Sequence, residues 1–170
     1  LKELPSSKLY FKDCSLSTQE GRDNFIELFK EYNLGEDRFI LFGHFSSHVK
    51  HLMAYHEIDI ALDTFPYNGT TTTCEALWMG IPVITLKGSA HRSSVTSMLL
   101  NEIGHSQWIA ENSEEYLEKA LSLAKDPEAL KNYRSQLRLD LAKSSICDSS
   151  RFTMELEQSY QEVWKKFSSR

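Results

Sequence analysis

The stretch IDIALDTFPYNGTTTTCEALWMGIPVITL, residues 58–86, decides how the chain is read. It opens on Ile58-Asp-Ile-Ala-Leu62, an apolar run of strand length. A loop from Asp63 to Thr70 follows, with Pro66 and the turn pair Asn68-Gly69, which can take positive φ. Thr71 to Trp78 reads as a helix closed by Gly80, and Pro82-Val-Ile-Thr-Leu86 as the next strand. A strand, a helix and a strand in so short a span require a parallel pair joined by a crossover.

The same alternation runs outward from this stretch. Upstream, strands are expected at Lys8–Lys12 and Arg38–Phe42. Between them Ser17–Tyr32 carries Phe25, Leu28, Phe29 and Tyr32 at helical spacing, and Gly35 is suited to a left-handed stop. Ser46 or Ser47 caps a short helix whose face holds Val49, Leu52 and Met53. Downstream come a helix around Ser94–Ile103 stopped by Gly104, a short strand at Trp108-Ile109, and a helix from Ser113 to about Lys125. Asp126-Pro127 caps the next helix, which reaches about Lys143. A last helix, about Arg151 to Phe167, places Phe152, Leu156, Tyr160, Val163 and Trp164 three and four apart. The pattern predicts an α/β fold: a Rossmann-like parallel sheet with helices on both faces, plus C-terminal helices.

Composition narrows the classes. The chain has 170 residues, 41% hydrophobic and 25% charged, so it can bury a core and is not a disordered spacer. Its net charge of −5 argues against a grip on nucleic acid. There is no apolar run of about 18 residues to span a membrane. Three scattered cysteines without a C-x-x-C pair read as reduced thiols in the cytoplasm. The first residues lack both an initiator Met and an apolar leader, which reads as a piece of something longer.

A doubly wound sheet binds ligands beyond the carboxyl ends of its strands. The segment after Leu62 is therefore the first to weigh. Thr70, Thr71, Thr72 and Thr73 stand at a helix start, where unpaired N–H groups and the positive dipole end suit a phosphate. Glu75, one turn in, is placed to accept hydrogen bonds from a ribose diol. The other reading is that the threonines only cap the helix. Neither a P-loop nor G-x-G-x-x-G is present. His44, His48 and His51 lack the convergent carboxylate that a metal site needs, and a single histidine donating to a phosphate suits them better. Asp63 reads as a loop-fixing acceptor. The loop Lys87–Val95, with His91 and Arg92, either closes over a ligand or is an ordinary connection.

The run LDTFPYNGTTTTCEALWMGIPVITLKG resembles the C-terminal catalytic lobe of the O-linked N-acetylglucosaminyltransferase family, which includes SPINDLY-type protein O-fucosyltransferases. The likeness continues through RFILFG, HLMAYHEIDIALDT, IAENSEEYLEKALSLAKD and FTMELEQSYQEVWKKF, nearly the whole chain. It implies one lobe of a two-lobed GT-B enzyme, inverting and metal-independent. The donor would be UDP-GlcNAc or GDP-fucose, and the acceptor Ser or Thr of a protein. A GT-B transferase acting on glycan or lipid, or a non-catalytic nucleotide-binding module, are the alternatives. By the same likeness Thr71 and Thr72 contact the diphosphate and Glu75 the ribose, with Asn68, Gly69 and Thr70 around them. His51 lies near the nucleotide, and Ser46 contacts the base through backbone. His48 stands where a relative has Lys, Thr70 where some have His, and Ser94 where the family has Arg, so that either Arg92 substitutes or that contact is lost. Residues 1–145 then form the nucleotide-sugar-binding lobe. Residues 146–170 form a C-terminal helix packing back on it or on an N-terminal lobe outside this chain. By the likeness the acceptor-side groups, and a Lys near the phosphates just upstream of this lobe, lie outside these 170 residues, no catalytic residue is assigned within them, and tetratricopeptide repeats are expected further upstream.

Overall fold

A computed structural model describes residues 1–169; Arg170, the end of the expected segment 146–170, lies outside them. The chain divides into two compact units, Leu1–Ile58 and Asp59–Arg170.

In the first unit, β1 (Leu9–Lys12) pairs in parallel with β2 (Phe39–Phe42), Leu9 opposite Phe39 and Lys12 opposite Phe42. Helix α1 (Gln19–Lys30) forms the crossover, and the Thr18 hydroxyl caps it by accepting from Gly21 N. The two apolar strands and one helix face meet through rings. Phe11 lies 4.4 Å from Phe25, and Phe29 lies 4.9 Å from Phe39. Leu28, expected on that face, is exposed instead. The chain turns left-handed at Asn33 (φ 55°), not at Gly35 (φ −68°), because the α1 exit reverses two residues earlier than the glycine suggests. Helix α2 (His48–Met53) starts at Ser47, whose hydroxyl accepts from Lys50 N. Val49 and Met53 are exposed; Tyr55, in the following 3-10 turn, is the residue that segment buries.

In the second unit, β3 (Ala61–Leu62), β4 (Val83–Leu86) and β5 (Ile109–Ala110) form a parallel sheet in that order. Helices α3 (Thr71–Trp78), α4 (Val95–Glu102) and α5 (Ser113–Ala124) pack on β4. Strand β4 reads as a continuous apolar run because it is covered: Val83, Ile84 and Thr85 are all buried. Helix α6 (Pro127–Lys143) packs on α3 and α5 and buries Leu137 and Leu141. Gly80 ends α3 at φ 79°, and a Cβ there would stand 2.5 Å from the Arg134 carbonyl oxygen, so no other residue fits. Helix α7 (Ser149–Ser168) closes the unit with Phe152, Tyr160, Val163, Trp164 and Phe167 exposed. No described helix is long and apolar enough to cross a membrane.

Candidate functional site at the start of α3

The loop between β3 and α3 is braced from several sides. Asp63 N continues the ladder to Ile84 O at 2.9 Å. Its carboxylate, almost fully buried, accepts from Gly69 N through Oδ1 (2.8 Å) and from the Thr85 hydroxyl through Oδ2 (2.7 Å). Asp63 is thus the loop-fixing acceptor that the sequence suggested. Its carbonyl accepts from Tyr116 Oη at 2.9 Å, and burial, then the Asp63 charge, push the Tyr116 phenol well above the ordinary tyrosine range.

Asn68 adds a second brace. Its N–H donates to Arg92 O (2.8 Å) and its Nδ2 to Thr64 O (3.0 Å), while its buried Oδ1 accepts nothing from the described residues. Gly69 is needed for proximity, not for positive φ. A Cβ there would meet Thr72 Oγ1 at 2.7 Å and Thr73 Oγ1 at 2.8 Å.

The four threonines part company at this point. Thr73 is buried, shares a 3.2 Å contact with the Thr96 hydroxyl, and belongs to the core. Thr70, Thr71 and Thr72 face solvent, with Glu75 half-buried one turn on. Thr70 is the N-cap and makes no side-chain cap bond. Helices α1, α2, α5, α6 and α7 are capped by Thr18, Ser47, Asn112, Asp126 and Asp148. The two whose starts carry no such bond are α3 and α4, and both follow the carboxyl end of a strand.

The β4–α4 loop is latched to the first by the Asn68–Arg92 backbone bond. Its His91 and Arg92 side chains are exposed. The Ser94 hydroxyl donates to Ala90 O and His91 O, so its hydrogen is committed to backbone. Cys74, between Thr73 and Glu75, is half-buried, and burial raises its thiol pKa.

The first unit carries the remaining candidates. Ser46 and His48 are exposed, His48 opening α2. His51 is half-buried, 5.5 Å from the Tyr55 ring, and its Nδ1 lies 3.0 Å from Lys12 Nζ. Lys12 and Tyr116 were not singled out from the sequence. Each reaches its partner across the fold, 39 and 53 residues away, and no local spacing marks such a contact.

Known proteins resemble the chain throughout. A probable UDP-N-acetylglucosamine–peptide N-acetylglucosaminyltransferase SPINDLY from Petunia hybrida is 39% identical over 164 residues, covering 96% of this chain and 18% of the relative. The SPINDLY protein of Arabidopsis thaliana is 38% identical over 169 residues, again 96% of this chain and 18% of the relative. A solved structure of a mutant Thermobaculum terrenum O-GlcNAc transferase superposes with a TM-score of 0.90 at 34% identity, covering 97% of this chain and 32% of that one. The chain therefore spans about a fifth of its curated relatives and about a third of the solved one. The model of glycosyl transferase family 41 matches residues 1–156, and with the Thr-lined start of α3 inside that match, the chain belongs to this family.

Proposed function

We propose that the chain is the nucleotide-sugar-binding C-terminal half of a metal-independent, inverting glycosyltransferase that moves N-acetylglucosamine from UDP-GlcNAc to Ser or Thr of proteins. GDP-fucose is the other donor to test. The family match and the names of the relatives support the transfer of a sugar to a peptide. The observation that carries the reading is the start of α3: a helix end without a side-chain cap, lined by exposed Thr71 and Thr72, on a loop held by Asp63.

In this proposal the N-terminal N–H groups of α3 and the Thr71 and Thr72 hydroxyls receive the diphosphate, and Glu75 accepts from the ribose. Asn68, Gly69 and Thr70 shape the cradle, and Arg92, with His91, supplies the positive charge that Ser94 does not. The family likeness also selects Ser46 and His51, in the first unit, as nucleotide-binding candidates. As the glycosidic bond breaks, negative charge gathers on the leaving diphosphate. Fixed dipoles and hydroxyl donors stabilise that charge without having to reorganise. The acceptor-side groups belong to an N-terminal lobe outside this chain, preceded by tetratricopeptide repeats. The segment 146–170 packs on that lobe, as the exposed rings of α7 suggest. A cytoplasmic setting accords with the three free thiols.

Calorimetric titration of the full-length protein with UDP and GDP, with and without magnesium, tests the reading. The expected result is magnesium-independent binding of one nucleotide, weakened about tenfold by Thr72→Ala through loss of a charge-assisted hydrogen bond. Binding of neither nucleotide overturns it. Binding without any sugar transfer by the full-length protein would favour the non-catalytic module.

A further inference from the structure

Helix α3 has no side-chain cap of its own, so the place of its start is set by what holds the loop before it. One brace comes from a helix that is capped. At the start of α5, Asn112 Oδ1 accepts from Glu115 N at 2.9 Å, and Tyr116 N closes on Asn112 O at 3.0 Å. Tyr116 therefore stands on a fixed first turn. Its Oη lies 2.9 Å from Asp63 O, and its ring meets Phe65 edge-on at 5.6 Å. A carbonyl has no hydrogen, so the phenol donates. Burial keeps that phenol protonated, and the donor is present throughout the neutral range.

The connection continues into the loop. The Asp63 carboxylate accepts from Gly69 N at 2.8 Å. Thr64 O accepts from Asn68 Nδ2 at 3.0 Å, and the Thr64 hydroxyl donates to Tyr67 O at 2.6 Å. Gly69 lies close against α3, since a Cβ there would stand 2.7 Å from Thr72 Oγ1. A hydroxyl on α5 is thus joined through one residue, Asp63, to the turn that shapes the start of α3, and all of these groups belong to the second unit. We propose that Tyr116 is a positioning residue for the nucleoside diphosphate: by holding the Asp63 carbonyl it fixes the Gly69 turn, and with it the Thr71 and Thr72 hydroxyls and the first N–H groups of α3. This rests on the proposed phosphate site at that helix start. The Tyr116 hydrogen is committed to Asp63, so its effect on the ligand must pass through the loop.

The test uses the full-length protein under conditions where parent and variants are folded. Tyr116→Phe removes the donor and keeps the ring. It is expected to weaken calorimetric affinity for UDP or GDP, whichever the parent binds, about fivefold, the scale of one hydrogen bond. In a Thr72→Ala background the same change should cost less, because part of what it positions is gone. Amide exchange in segment 63–70 should quicken in Tyr116→Phe while that of β4 stays as in the parent. Leu123→Ala, which truncates a buried side chain near the other end of α5, supplies the contrast. It should lower the urea midpoint at least as far and leave affinity within about twofold of the parent. Unchanged affinity in Tyr116→Phe, an equal loss in Leu123→Ala, or fully additive losses with Thr72→Ala would each overturn the proposal. If Thr72→Ala weakens binding and Tyr116→Phe does not, the positioning role falls while the nucleotide site at α3 stands. If the parent protein binds neither nucleotide, both fall.

Discussion

Asp63 divides its two carboxylate oxygens between a backbone amide six residues ahead and a threonine hydroxyl on the neighbouring strand. Asp63→Ala leaves Gly69 N–H and the buried Thr85 hydroxyl without their acceptors. The expected cost is about 2–4 kcal/mol of stability, read as a lower urea midpoint with an unchanged slope. Tyr116 adds a pH dependence. Its phenol is held protonated in the fold, above the ordinary value near 10, so its contribution is fully present below that pH. As pH rises past about 10 the unfolded chain releases this proton first, and stability falls. Tyr116→Phe should flatten that alkaline decline, measured by urea unfolding between about pH 9 and 11. The role of Asp63 was legible in the sequence because a carboxylate between a strand end and a Gly turn has few other tasks. The contacts of Tyr116 and Lys12 were not, since a hydrogen bond closed by the tertiary fold leaves no trace in local spacing.

The elements followed their signals closely where those signals were local. Thr71–Trp78 and the Pro127 start of α6 fall where the sequence placed them, because the Asn68-Gly69 turn and Gly80 bracket the first and Asp126-Pro127 opens the second. Strand ends were harder. The strand expected at 58–62 begins only at Ala61, since Ile58 N closes the preceding 3-10 turn on Tyr55 O and Asp59 pairs with Arg134 in the open. The last strand starts at Ile109 because Trp108 ends a 3-10 turn, packed flat against His105 and edge-on to Tyr133. Helix α7 matched its spacing, yet its apolar stripe stands in water. A bare stripe of this kind drives association. In light scattering the 170-residue chain is expected to self-associate with rising concentration, and Trp164→Glu with Phe167→Glu should return it toward a single species. A parent chain that stays monodisperse would show that the stripe does not act alone.

At the scale of the whole molecule, two compact units each carry part of the residue set that the family likeness selected. The likeness was visible because Pro66 through Gly80 is a long, ordered run of specific residues, far richer than any single motif. The separation into Leu1–Ile58 and Asp59–Arg170 was not visible, since no Gly-, Pro- or Ser-rich linker marks the boundary. The uncapped start of α3 also has a thermodynamic side. A helix that lacks a cap of its own has its stability set partly from outside, and whatever anion settles there becomes, by mass action, a component of the fold. At a hundred times its dissociation constant such a ligand adds about 2.7 kcal/mol. Full-length protein heated with the correct nucleotide should therefore melt several degrees higher, and Thr72→Ala should shrink that shift. If the proposed site holds, the donor would supply from outside the cap that the α3 side chains do not.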